Sequence, residues 1–189
     1  MKVLVTGFEP FGALPVNSSW EAVRNLPDKI DGKDIIKMRL PVVFGEAAQR
    51  ANAYAKEINA EAIILTGMAE SYKAVTIERV SINLRDARLP DNSGRQPRDE
   101  KISSDGENAY FSTLPVKKIC EKIKGENIAC DISYSAGTYV CNDLFYSVLH
   151  ENRNTSVKVG FFHLPRIDND SGVSQEDMTK ALEIAVREL

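Results

Sequence analysis

Cys141 lies in Ser135-Ala136-Gly137-Thr138-Tyr139-Val140-Cys141-Asn142-Asp143, a glycine-containing turn that runs into a helical pattern. Thiolate is the nucleophilic form of a cysteine, and the open N–H groups and dipole of a helix start favour negative charge there. A histidine placed elsewhere in the chain can serve as the base for such a sulfur. The sequence holds two histidines. His163 closes the apolar run 157–163, in phase with Val157, Val159 and Phe161, and Leu164-Pro165 follows at once, as at a strand end. His150 lies farther along the helix that carries Cys141, on its opposite face, where a surface histidine near a helix C-terminus accounts for it. His163 is the better candidate base.

Plain packing competes with chemistry at each of these residues. Cys141, Leu144, Phe145, Val148 and Leu149 follow helical spacing, so a core role alone would explain the cysteine. Cys120, in phase with Val116, Ile119 and Ile123, and Cys130, alternating with Ile128 and Ile132, read as core filler. Only Cys141 joins a glycine turn to a helix opening. Glu78 and Arg79 interrupt the strand pattern 75–84: strict alternation sets Glu78 with Val80, Ile82 and Leu84, and Arg79 with Val75 and Ile77. Either a bulge resets the phase or charges enter apolar faces. The pair is then a structural ion pair, or Glu78 is a partly buried carboxylate that orients an imidazole. Phe8 and Phe11, in Gly7-Phe8-Glu9-Pro10-Phe11-Gly12, cap the core or sandwich a small flat ring; the loop matches neither phosphate-binding glycine pattern.

The elements that must position these groups follow from periodicity. Apolar runs predict strands over 2–6, 35–40, 62–66, 75–84, 128–134 and 157–163. Helical spacing predicts helices from about Asn17 or Ser18, with Ser18 and Glu21 at capping-box spacing, and over 45–58, 114–124, 138–150 and 174–187. The stretch 85–108, rich in Asp, Arg, Pro, Ser and Gly, reads as a long loop. Strands alternating with helices give an α/β layer fold with a largely parallel sheet, a single domain over 1–189. Functional groups of such sheets gather beyond the carboxyl ends of the strands, where both Gly7-Phe8 and His163-Leu164-Pro165 fall.

Composition narrows the classes. A net charge of −3 from 24 basic and 27 acidic residues, spread along the chain, gives no basic stripe for nucleic acid. No apolar run has the length of a membrane span, and the N-terminal run is too short for a signal-peptide core. Three cysteines without metal-type pairing read as reduced thiols of a cytoplasmic protein, and no metal or cofactor is expected.

Seven segments, in order, resemble the pyroglutamyl peptidase I (pyrrolidone-carboxylate peptidase) family of cysteine peptidases along nearly the whole chain. They are Val5-Thr6-Gly7-Phe8-Glu9-Pro10-Phe11-Gly12, Asn17-Ser18-Ser19-Trp20, Leu40-Pro41-Val42, Glu78-Arg79-Val80-Ser81-Ile82-Asn83, Asp86-Ala87-Arg88-Leu89-Pro90-Asp91-Asn92, the segment 135–142 and Gly160-Phe161-Phe162-His163-Leu164-Pro165. The resemblance implies Cys141 as nucleophile, His163 as base and Glu78 as the acidic third member, with Arg88 as a supporting arginine. It also implies a pyroglutamate pocket of Phe8, Phe11, Met68, Leu89 and Val140. It implies a three-layer α/β/α fold with a twisted, mixed, mostly parallel sheet, peptides with N-terminal pyroglutamate as substrates, and a homo-oligomer, dimer or tetramer. One segment departs from the family pattern: a Gly-x-Ala-Gly-Gly-Arg-like turn is replaced by Gly67-Met68-Ala69-Glu70-Ser71-Tyr72. That departure keeps a second reading open, a catalytically altered relative that binds a cyclic amide or peptide N-terminus without cleaving it.

Overall fold

The computed structural model describes residues 1–12, 14–167 and 172–189. Its centre is a seven-stranded sheet built from β1 (Lys2–Phe8), β2 (Lys29–Ile30), β3 (Lys33–Leu40), β4 (Ala62–Met68), β5 (Val75–Glu78), β8 (Cys130–Ser133) and β9 (Lys158–Leu164). The spatial order is β2-β3-β1-β4-β9-β5-β8. Strands β1, β3, β4 and β9 run parallel, β5 runs antiparallel to β9, and β8 runs parallel to β5. A separate two-stranded piece joins β6 (Val80–Ile82) to β7 (Ala109–Phe111).

The central strands are buried from end to end, as strands covered on both faces must be. On one face Val3, Val5, Ile64 and Phe162 pack under α1 (Ser18–Arg24), α3 (Val116–Gly125) and α5 (Gln175–Arg187). On the other, Leu4, Leu65, Val159 and Phe161 pack under α2 (Glu46–Glu57) and α4 (Val140–Asn152). The result is the expected α/β/α layering with a mixed sheet.

Several local expectations are revised. The strand read over 75–84 divides at Arg79, where the chain leaves the main sheet for the β6–β7 hairpin. Neither a bulge nor a charged face within one strand is needed. Asn17, not Ser18, caps α1, its side chain accepting from the Ser19 N–H at 3.1 Å. The capping box lies instead at α5, between Ser174 and Asp177. Within 85–108 the described backbone has one isolated bridge, Arg85 to Glu100, and is held by scattered backbone bonds, such as Ala87 N–H to the Pro97 carbonyl, together with side chains. Asn83 accepts from the N–H groups of Ile102 and Ser103 and donates to the Ser103 carbonyl. Buried Asp91 accepts from the N–H groups of Phe44, Ser93 and Arg95.

Candidate active site

Strand β9 lies between β4 and β5, and its register sets Gly67, His163 and Thr76 side by side at the carboxyl end of β9. Glu78 stands opposite Phe161, so its side chain is the diagonal neighbour of His163 on the same face, within reach of a long side chain. The Glu78 Oε1 lies 2.7 Å from the His163 Nδ1, with Glu78 fully buried and His163 only 6% exposed. Cys141, in the first turn of α4, holds its sulfur over Gly67, the neighbour of His163 across the strands, close enough to the imidazole to act on its charge. Since Nδ1 faces the carboxylate, Nε2 is the ring nitrogen left to exchange a proton with the sulfur. The sulfur rests in the space left by an absent side chain: a Cβ on Gly67 would lie 2.7 Å from the Cys141 Sγ and 2.9 Å from the Phe161 ring.

Burial works against an imidazolium, but the Cys141 sulfur and then the Glu78 carboxylate outweigh it and raise His163 from its ordinary 6.5 to about 10. The other Glu78 oxygen, Oε2, is buried with no hydrogen-bond partner among the described residues. A buried carboxylate with a vacant acceptor keeps most of its desolvation cost, so its compensation comes from charge on His163.

The two residues after Cys141 fix the helix that carries it. The Asn142 side chain accepts from the Ile82 N–H at 3.0 Å and donates to the carbonyls of Ile82 and Leu84 at 2.9 and 3.0 Å, tying α4 to β6. Asp143, fully buried, accepts from the Gly45 N–H at 2.7 Å and from the Arg85 Nε at 2.6 Å. No side chain caps the start of α4, at Tyr139, so the first-turn N–H groups of the helix that carries Cys141 are not taken by a capping side chain. Such donors can hold a developing oxyanion.

A mostly apolar cavity of about 330 Å³ opens beside Cys141. It is lined by the expected Phe8, Phe11, Met68 and Val140, and by Asn17, Val42, Glu70, Ser71 and Tyr139, which the sequence reading did not select. Tyr139 follows from its place next to Val140; Asn17 and Val42 belong to family-like segments whose tertiary position no local pattern reveals. Leu89 and Arg88 lie elsewhere, in an adjoining groove separated by Phe11 and Tyr139, and Leu89 is 61% exposed. The ring pocket expected to include Leu89 closes without it, because the irregular path of 85–108 carries it outward. His150 is not the surface residue expected: its Nδ1 meets the Tyr110 hydroxyl at 3.0 Å and its ring stacks on Tyr146. Cys120 and Cys130 are buried in the core, and all three cysteines are free. Among the described residues no helix is long and apolar enough to cross a membrane, and no three His, Cys, Asp or Glu side chains gather as metal ligands would.

The chain matches the pyroglutamyl peptidase family model over residues 1–188. It is 44% identical to pyrrolidone-carboxylate peptidase 1 of Caldanaerobacter subterraneus subsp. tengcongensis, covering 99% of this chain and 97% of that one. To the pyrrolidone-carboxylate peptidase of Thermococcus onnurineus it is 42% identical, over 99% and 98% of the two chains. Its fold superposes on the crystal structure of pyroglutamyl peptidase I from Bacillus amyloliquefaciens with a TM-score of 0.95 at 42% identity, over 99% and 93% of the two chains. For the pyrrolidone carboxyl peptidase of Thermococcus litoralis the TM-score is 0.93 at 37% identity, over 98% and 91%. Over its whole length, in sequence and in fold, this chain belongs to the pyroglutamyl peptidase family of hydrolases.

Proposed function

We propose that this protein removes N-terminal pyroglutamate from peptides with Cys141 as nucleophile, His163 as general base and acid, and Glu78 as the residue that orients the imidazole. The observation that carries the reading is a single imidazole bonded to the buried Glu78 carboxylate, with the Cys141 sulfur seated over the neighbouring Gly67, beside the Phe8/Phe11 cavity. His163 takes the thiol proton, and the thiolate attacks the pyroglutamyl carbonyl. The tetrahedral intermediate collapses to a thioester as the peptide amine leaves with the proton from His163. Water, deprotonated by His163, then attacks the thioester and releases pyroglutamate, and the proton returns to the sulfur. The N–H groups at the start of α4 hold the oxyanion; one such donor is worth about 3–4 kcal/mol of transition-state stabilisation.

Selectivity follows from the cavity. A flat, uncharged lactam fits between the Phe8 and Phe11 rings, whereas an uncyclised N-terminus would bring a charged ammonium into a mostly apolar space, at a desolvation penalty. Arg88, in the adjoining groove, is placed to meet the peptide beyond the scissile bond and not the lactam ring. The same reading includes the family's dimeric or tetrameric assembly and a cytoplasmic setting for the free thiols; light scattering of the purified protein checks the first.

Hydrolysis of a pyroglutamyl arylamide by wild type beside Cys141→Ser tests the proposal. Wild type releases the arylamine and the serine variant, folded, does not; a fully active serine variant ends the assignment. Iodoacetamide abolishes the activity by alkylating Cys141, and a chelator leaves it unchanged.

A further inference from the structure

The short link 69–74 between β4 and β5 completes the surroundings of the imidazole. In the order β4-β9-β5 the link has to pass over the carboxyl end of β9, about 10 Å at two strand spacings. His163 sits directly beneath that crossing. Tyr72, in the middle of the link, has its ring centroid 5.7 Å from that of His163, the planes at 81°. On another side the Phe161 ring centroid lies 4.8 Å from the imidazole at 59°. The Tyr72 backbone is held by its N–H donating to the Ala69 carbonyl at 3.1 Å, while its hydroxyl makes no hydrogen bond with any described residue. Glu70 and Ser71, its neighbours in the link, turn instead into the substrate cavity.

We propose that Tyr72 is a positioning residue for pyroglutamyl hydrolysis, its ring covering the imidazole of His163 so that the ring nitrogen stays aimed at the Cys141 sulfur and water stays out. The inference rests on the reading of Cys141 and His163 as the reacting pair. One hydrogen bond to the Glu78 carboxylate fixes Nδ1 but leaves the ring free to swing about that contact. Tyr72 and Phe161, packed on it from different sides, remove that freedom, as edge-on and tilted aromatic contacts do. The groups facing the imidazole are then Cys141 from α4, Glu78 from β5, Phe161 from its own strand and Tyr72 from the link.

The test compares Tyr72→Ala and Tyr72→Phe with wild type, measuring kcat, KM and their pH dependence on a pyroglutamyl arylamide, and titrating His163 by NMR. Tyr72→Ala lowers kcat about tenfold, a fraction of the ~10²–10⁴ that a general base contributes, with KM within about twofold. Its His163 titration moves down toward the ordinary value, because burial and the two negative partners all act less once water reaches the ring and their balance in wild type is upward. Tyr72→Phe, which keeps the ring, retains kcat and titration. Wild-type kinetics and titration in a folded Tyr72→Ala overturn the inference. So does a Tyr72→Phe that loses as much as Tyr72→Ala, since the hydroxyl would then be the working group. If Tyr72→Ala does not fold, Tyr72→Leu replaces it, with a loss between those of the other two expected and wild-type behaviour overturning. A wild type inactive on the arylamide would overturn the proposed activity, whereas the NMR titration still decides the role of Tyr72.

Discussion

Gly67→Ala places one methyl group against the sulfur and leaves every named reacting residue in place. The added Cβ would lie 2.7 Å from the Cys141 Sγ and 2.9 Å from the Phe161 Cζ, and Phe161 is fully buried. Carbon contacts settle near 3.5–4.0 Å, so the sulfur or the ring has to give way by about 1 Å. A misplacement of about 1 Å in a reacting pair costs on the order of 10²-fold in rate. Overpacking a core site costs about 1–3 kcal/mol, which for a domain of this size lowers Tm by about 2–12 °C. Gly160→Ala is the control, because its Cβ would meet the Leu114 side chain at 2.2 Å, more crowded still but away from the sulfur. Activity on a pyroglutamyl arylamide, the rate of iodoacetamide alkylation of Cys141 and thermal unfolding are measured for both. Both variants melt lower, and only Gly67→Ala loses about 10²-fold in kcat per folded molecule and alkylates at an altered rate. A Gly67→Ala enzyme with wild-type kcat would refute the seating of the sulfur over this glycine, and equal loss in Gly160→Ala would reduce the effect to general instability.

Glu78→Gln keeps the shape of the pair and removes the charge, so kcat falls by ~10²-fold or more while KM stays near wild type; steady-state kinetics on the arylamide check this. Activity holds on the alkaline side until the pH nears about 10, where His163 loses the proton the leaving amine needs, as a kcat/KM profile will show. Stability follows the same group: a folded value raised from 6.5 to about 10 contributes fully below pH 6.5 and is lost as the pH rises through about 10, so the Tm gap between wild type and His163→Ala narrows across that window. Asp91→Ala strands the N–H groups of Phe44, Ser93 and Arg95 and destabilises by about 3 kcal/mol, read by urea unfolding. Burial raises Asp91, but its hydrogen bonds outweigh that and hold it below the ordinary 3.8, so its contribution is present above that pH and is lost on acidification through the lower folded value. Arg85→Met leaves the fully buried Asp143 carboxylate without its cation and costs about 3–5 kcal/mol by the same measurement.

Cys141 and His163 were legible because a helix opening and a strand end are local patterns, written in the few residues around each. Glu78 was legible only as a break in phase, and the cause of the break lies outside any single strand, since at Arg79 the chain passes from one sheet to another. Phe8, Phe11, Met68 and Val140 follow strand ends or the helix start, and all four line the cavity. Leu89 follows neither. Its place depends on the path of 85–108, set by the side chains of Asn83, which reaches Ile102 and Ser103, and of Asp91, which reaches Phe44 and Arg95, and periodicity carries no record of such bonds. Strands β2 and β7, of two and three residues, are too short to leave an alternating signal.

The direction of β5 explains why the three polar groups meet. Parallel strands need a crossover of a dozen or more residues, and the link 69–74 is too short for one. Strand β5 must therefore run back against β4 and β9, entering at the end of the sheet where those two strands leave. Running that way, it brings Thr76 level with His163 and Glu78 one step deeper, opposite Phe161. A carboxylate at that depth approaches the imidazole from within the protein, where water does not compete for it, while the sulfur approaches from α4 above the sheet. A parallel β5 entering from the opposite end would need a long connection and would leave the end of β9 uncovered. The reversed strand thus supplies both the buried acid beneath His163 and, through the link that leads into it, the tyrosine above.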